Sequence, residues 1–169
     1  MPTEPKVVAV IPARWASSRF PGKPLAKIRN KPMIQWVVEQ TRQARLVSDI
    51  IVATDDRRIY DAVGAFGGRA VMTSESHPSG SDRVAEVVAG ISCDIVVNVQ
   101  GDEPLIPPGN IDLVIEPLLK DRALKVSTLM IRIQNAAEVF NPNIAKVTVD
   151  EQGFALYFSR SPIPFYRDE

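Results

Sequence analysis

Short runs of consecutive apolar residues alternate, over the first hundred positions, with stretches in which apolar residues recur every three or four. Val7-Val8-Ala9-Val10-Ile11, stopped by Pro12, is the first run. A β-branched strand without polar alternation is one buried on both faces, as in a parallel sheet. Asp49-Ile50-Ile51-Val52-Ala53 and Asp94-Ile95-Val96-Val97-Asn98-Val99 repeat the type, and Arg69-Ala70-Val71-Met72 is a shorter version. Between them, Ile34, Val37, Val38 and Thr41 keep helical spacing after Pro32, a residue tolerated in a first turn. Ile59, Ala62, Val63 and Phe66 do the same across 58–66, where Gly67-Gly68 supplies a left-handed cap. The stretch 81–91 repeats the logic, with Ser81 as N-cap and Gly90 near the close. Strand and helix in this alternation predict right-handed crossovers and a three-layer α/β/α, Rossmann-like fold around a mostly parallel sheet.

The last third changes character. Residues 126–133 and 144–149 read as strands, and Asp150-Glu151-Gln152-Gly153 as a hairpin turn before 154–159, which predicts an antiparallel addition to the sheet edge. Ser161-Pro162-Ile163-Pro164 cannot continue a central strand. At 169 residues, 45% hydrophobic and 24% charged, the chain is expected to form one globular domain over 1–169. Trp36 reads as core packing, and Trp15 as packing or a loop lid.

Charge narrows the partners. Lys plus Arg number 20 and Asp plus Glu number 20, so no net field draws the chain to nucleic acid or to an anionic membrane. A polyanionic ligand has to be held by a local cluster. One cysteine, Cys93, and one histidine, His77, exclude an intramolecular disulfide and a Cys/His zinc set, which suits a reducing cytoplasm. His77 reads as a surface-loop residue and Cys93 as a small packing residue. No apolar run approaches the ~18 residues of a membrane span, and Met1-Pro2-Thr3-Glu4-Pro5-Lys6 lacks the pattern of a leader.

Three segments carry candidate chemistry. After the first strand come Ala13-Arg14-Trp15-Ala16-Ser17-Ser18-Arg19-Phe20-Pro21-Gly22-Lys23. This places three cations at the carboxyl end of a buried parallel strand, where open α/β sheets bind ligands. Arg14 offers a bidentate fork to phosphate oxygens, Lys23 a point charge, and Ser17 with backbone N–H groups a small anion-binding concavity, so a triphosphate is the natural guest. The same residues read equally well as a solvated basic connection. The second segment, Gln100-Gly101-Asp102-Glu103-Pro104, ends another buried strand in two carboxylates. Asp102 there is a candidate Mg²⁺ ligand, since Mg²⁺ needs one or two carboxylates when phosphates and water complete its octahedron. Its alternative role is to cap a helix beginning near Pro107. The third, His77-Pro78-Ser79-Gly80-Ser81-Asp82-Arg83, is a helix start whose N–H groups and Arg83 can meet a base or phosphate, or common loop chemistry.

Taken in order, several segments are similar to the 3-deoxy-manno-octulosonate (Kdo) cytidylyltransferase family of Gram-negative bacteria. They are 12–25, Asn30-Lys31-Pro32-Met33-Ile34, Ile51-Val52-Ala53-Thr54-Asp55, 77–83, 98–104, Phe140-Asn141-Pro142-Asn143 and Tyr157-Phe158-Ser159-Arg160. The first loop alone points only to the wider sugar-nucleotidyltransferases; residues 100–104 and 157–160 narrow the resemblance. It implies a cytoplasmic, Mg²⁺-dependent enzyme with the nucleotidyltransferase form of the fold, joining CTP and Kdo into CMP-Kdo and pyrophosphate for lipopolysaccharide inner-core synthesis. It implies further that Arg14, Ser17 and Lys23, beside Ala13, hold the triphosphate, that Ser79, Gly80 and Arg83 help read the cytidine, and that Asp102 ligates Mg²⁺. Arg14, Lys23 and Asp102 are then the catalytic set. Gln100 and Arg160 face the sugar, Arg160 as partner of its carboxylate. The family's sequences continue past this point with a second metal-binding aspartate, further Kdo contacts and much of a homodimer surface. Asp168 and Glu169 do not match that aspartate's motif, so a truncated form of the enzyme is expected. Two alternatives stay open: a catalytically incomplete CTP-binding domain, and a cytidylyltransferase for a related acidic sugar.

Overall fold

The opening apolar run becomes strand β1 (Val7–Ala13), buried along both faces. The computed structural model describes residues 4–16 and 20–165. Beyond β1 the chain forms a small hairpin, β2 (Lys27–Ile28) and β3 (Lys31–Pro32), and then helix α1 (Met33–Thr41). There follow β4 (Asp49–Thr54), α2 (Arg57–Ala65), β5 (Ala70–Met72), α3 (Gly80–Ala89), β6 (Ile95–Asn98) and α4 (Pro108–Lys120). The last elements are α5 (Ala136–Phe140), β7 (Lys146–Val149) and β8 (Ala155–Ser159). The chain divides into two units, broken after Ser127.

In the first unit β5, β4, β1 and β6 lie side by side in that order, every pairing parallel. The chain steps outward from β1 to β4 to β5, then returns past β1 to place β6 on the other side. A right-handed crossover that reverses direction carries its helix to the opposite face. Accordingly α1, α2 and α4 pack with Val7, Ala9, Ile11 and Ala13, whereas Val84 and Val87 of α3 pack with Val8, Val10, Ile51 and Ala53. Alternate residues of β1 thus feed two cores, which is why its run shows no polar positions. The three-layer architecture is the one the alternation predicts.

Several local expectations are corrected. Pro12 does not stop β1 but lies within it, opposite Ala53 of β4. In a parallel ladder both polar groups of a residue face one neighbour. The carbonyl of Val10 accepts from Val99 N–H at 3.0 Å, so Pro12, two residues on, also faces the β6 side, beyond the last β6 pairing at Asn98. Its missing N–H costs no ladder bond there. Helix α3 is capped by Ser79, not Ser81: the Ser79 hydroxyl accepts from Asp82 N–H at 3.3 Å and donates to the Asp82 carboxylate at 2.6 Å. Ser79 has an acid three residues on, whereas Ser81 has Val84. Trp36 is half-buried, not core; its indole N–H donates to the Ile28 carbonyl at 2.9 Å and Lys31 lies 4.8 Å over its ring. It fastens the β2–β3 hairpin to α1. By contrast α2 ends as expected, with Gly67 at φ 75° and the N–H groups of Gly67 and Gly68 donating to the carbonyls of Gly64 and Val63.

The link from α1 to β4 is tied down by Asp112 of α4, a buried carboxylate whose oxygens accept from the backbone N–H of Leu46 at 2.9 Å and of Arg45 at 3.2 Å. Burial pushes the Asp112 carboxyl up, but those N–H bonds and the Arg45 side chain outweigh it and hold the group below the usual range. Stability from such a depressed carboxyl is present above its unfolded pKa and lost as pH falls through the folded one. Asp112→Ala is expected to cost about 2 kcal/mol near neutrality, read as a lower urea midpoint at unchanged slope. The difference from the unsubstituted protein shrinks in acid.

In the second unit β7 and β8 pair antiparallel, with the turn closed by Asp150, whose carboxylate accepts from Gln152 and Phe154 N–H at 3.0 and 2.8 Å. The antiparallel pairing expected in the last third is present, but β7 and β8 form a two-stranded sheet of their own and are not the expected addition to the edge of the parallel sheet. Lys146 is buried and satisfied, donating to the carbonyls of Asn141 and Ile144 at 2.9 Å each and to that of Arg160. Residues 126–133, expected as a strand, carry no ladder, and Val126 and Ile131 are more than four-fifths exposed. Alternation states that a segment suits a pleated surface; it does not supply the neighbouring strand.

Candidate functional site

The reversal of strand order between β1 and β6 creates a crevice beyond their carboxyl ends, where open α/β sheets take ligands. A cavity of about 630 Å³ opens there. Ala13, Arg14 and Lys23 line it from the segment after β1, Gln100 and Asp102 from the segment after β6, and Ser79, Gly80 and Arg83 from the start of α3. The three segments singled out in the sequence therefore converge. Ser17 lies outside the described residues. Arg160 belongs to the second unit, where one terminal nitrogen of its guanidinium donates to the carbonyls of Pro142 and Asn143 at 3.1 and 3.0 Å.

Across the crevice Lys23 Nζ meets Asp102 Oδ2 at 2.6 Å, both side chains partly exposed. Asp102 is therefore not the cap of α4, which begins after Pro107 without a side-chain cap. The segment can approach this closely because residue 101 is glycine: a Cβ there would lie 2.7 Å from the Pro12 carbonyl oxygen, the group β1 turns towards β6. Gln100 is oriented by a 3.3 Å bond from its amide to the Asn98 side chain. Arg14 and Lys23 put two cations in the lining against the one carboxylate of Asp102, a balance that favours an anion.

A metal is tested by its donors. No group of three or more His, Cys, Asp or Glu side chains is gathered among the described residues. An all-protein cage is thus absent from them, whereas the half-exposed carboxylate of Asp102 fits a Mg²⁺ that takes its remaining ligands from phosphates and water, provided the Lys23 ammonium now on that carboxylate turns to the phosphates.

Arg83 departs from the sequence reading. It is 3% exposed, and its terminal nitrogens donate to Asp55 at 2.7 Å and to the Thr73 hydroxyl. It is a strut between α3 and the end of β4 that also borders the cavity. Asp55 and Thr73 were missed; for Asp55 a signal existed, since it directly follows the buried parallel strand β4 at its carboxyl end. His77 is not a loose surface residue: it lines the cavity and its ring is bonded to Glu86. That bond, with Ser74 N–H, holds the Glu86 carboxyl below the usual range.

Residues 8–169 match the family described as cytidylyltransferase. The chain is 58% identical over 164 residues to the 3-deoxy-manno-octulosonate cytidylyltransferase of Geotalea daltonii and 57% identical to that of Geobacter metallireducens, in each case over 97% of this chain and 65% of the relative. It thus spans about 65% of the length of the curated relatives it matches. A solved structure of CMP:2-keto-3-deoxy-manno-octonic acid synthetase complexed with CTP superposes with a TM-score of 0.87 at 46% identity, over 96% of this chain and 67% of that one. A cytidylyltransferase from Leptospira borgpetersenii shares the fold, with a TM-score of 0.60 at 24% identity over 69% of this chain and 50% of that one.

Proposed function

Because the chain belongs to the cytidylyltransferase family, we propose that its crevice binds CTP and delivers the cytidylyl group to Kdo, giving CMP-Kdo and pyrophosphate. The observation that carries the reading is the Lys23–Asp102 pair across the switch point. The ends of two adjacent parallel strands bring together the cation a triphosphate needs and the carboxylate its metal needs. The relatives' names supply the sugar.

In this reading Arg14 grips phosphate oxygens with its fork and Lys23 supplies a point charge. The anomeric hydroxyl oxygen of Kdo bonds to the α-phosphorus, the bond from that phosphorus to the bridging oxygen breaks, and the hydroxyl proton passes to water. Negative charge gathers on the departing pyrophosphate, where Arg14 and Lys23 stabilise it without any covalent nucleophile. Asp102 would hold Mg²⁺ with phosphate oxygens and water, and the ion would neutralise part of the triphosphate charge. Ser79 and Gly80 border the cytidine, and Gln100 meets the sugar. Ser17 completes the phosphate-holding set. The same reading has the reaction in the cytoplasm, with CMP-Kdo used in lipopolysaccharide inner-core synthesis and the full-length protein a homodimer. No helix of the described residues is long and apolar enough to cross a membrane.

A second reading is CTP binding without turnover by these 169 residues. Pyrophosphate release decides between them, measured on these 169 residues and on a version extended to the relatives' length. Release that needs CTP, Mg²⁺ and Kdo together supports the enzyme. Release from the extended version alone assigns this chain the binding role, and release without Kdo contradicts the proposed acceptor.

A further inference from the structure

The two phosphate-gripping cations leave the chain on either side of a closed neck. Arg14 precedes Trp15 and Lys23 follows Gly22, and Trp15 and Gly22 are joined by a 3.0 Å bond from Gly22 N–H to the Trp15 carbonyl. The indole also lies on Gly22. A Cβ on that glycine would be 2.8 Å from the ring, and its φ of 70° is one that other residues rarely adopt. Arg58 of α2 stacks on the same ring at 3.3 Å, and is itself held by Asp56 at 2.9 and 2.6 Å. The Trp15 backbone N–H donates to the Asp55 carboxylate at 3.4 Å, the group that also receives Arg83.

We propose that Trp15 is a positioning residue for the phosphate grip: by closing on Gly22 beneath the Arg58 guanidinium, it fixes the separation of Arg14 and Lys23. This rests on the reading of the crevice as a triphosphate site. Trp15 touches no ligand in this account. Its ring converts the packing of α2 against the neck into a fixed spacing of two charges, and oriented groups lose much of their effect when displaced by an ångström. A ring that merely filled space against the core would leave ligand selectivity unchanged.

Calorimetric titrations of the 169-residue chain with inorganic tripolyphosphate, CTP and CMP test the idea. Trp15→Ala is expected to weaken tripolyphosphate and CTP by about tenfold each and CMP by less than about twofold, because CMP lacks the phosphates the paired cations span. Trp15→Phe, which keeps a ring on Gly22, is expected to recover binding to within about threefold. Arg58→Ala removes the stack from an exposed position and serves if Trp15→Ala fails to fold; it is expected to weaken tripolyphosphate by about threefold. Unchanged tripolyphosphate affinity in Trp15→Ala or Arg58→Ala overturns the proposal, as does equal weakening of all three ligands. Wild-type protein that binds tripolyphosphate but not CTP overturns the cytidylyl reading and leaves the neck standing. Binding of neither overturns both.

Discussion

Asp102→Asn lowers CTP- and Kdo-dependent pyrophosphate release by about a thousandfold in a version of the relatives' length, the size of effect expected when one preorganised charge is removed from a transition state. The fold is expected to survive, because the Asp102 side chain is half exposed and its bond runs to Lys23, itself partly exposed, and not into the core. The change of sign with metal is more diagnostic. Without Mg²⁺, Asp102 repels the phosphates, so the asparagine variant binds CTP at least as tightly as the unsubstituted protein. With Mg²⁺ the order reverses, because amide oxygen is a poorer partner for a hard dication than carboxylate. Titrations in the chelator EDTA and in Mg²⁺ read both halves. Full turnover in the variant removes Asp102 from the mechanism.

Lys23→Ala weakens CTP binding by about thirtyfold to a hundredfold, which corresponds to ~2–3 kcal/mol for a charge-assisted contact in a sheltered crevice. CMP is expected to change little. The salt dependence of CTP binding should also fall, since one screened charge pair is gone. Lys23→Arg does not restore the affinity in full, because a planar fork does not occupy the place of a compact ammonium 2.6 Å from a carboxylate. If CTP and CMP weaken alike, Lys23 supports the loop and does not grip the outer phosphates.

What the sequence made legible follows from locality. The parallel strands β1, β4 and β6 announced themselves because each is a continuous apolar run rich in β-branched residues, and chemistry at such a fold collects after those runs. Arg14, Lys23 and Asp102 were therefore findable without knowing which strands are neighbours. That Lys23 and Asp102, 79 residues apart, would touch depended on β6 lying beside β1. The Asp55–Arg83 strut and the Arg58–Trp15 stack join positions 28 and 43 apart, and no periodicity encodes such pairs. Pro12 misled because a rule about ladder bonds was applied before it was known that the ladder on its β6 side had already ended. Ser81 misled because two serines flank Gly80 and only the reciprocal bond between Ser79 and Asp82 selects one. Residues 126–133 misled because a strand's own pattern contains half of the requirement, and its partner the other half.

The central claim is that CTP occupies the switch-point crevice. The most direct test is a titration of isotopically labelled chain with CTP and Mg²⁺, following every backbone amide by NMR. The account predicts that perturbed amides cluster at 13–15, at 20, 22 and 23, and at 79–83 and 98–102, in the segments that meet at the carboxyl ends of β1 and β6. Perturbations gathered around the second cavity, of about 390 Å³, beside Pro5, Asp94 and Arg122 at the other end of those strands would contradict it.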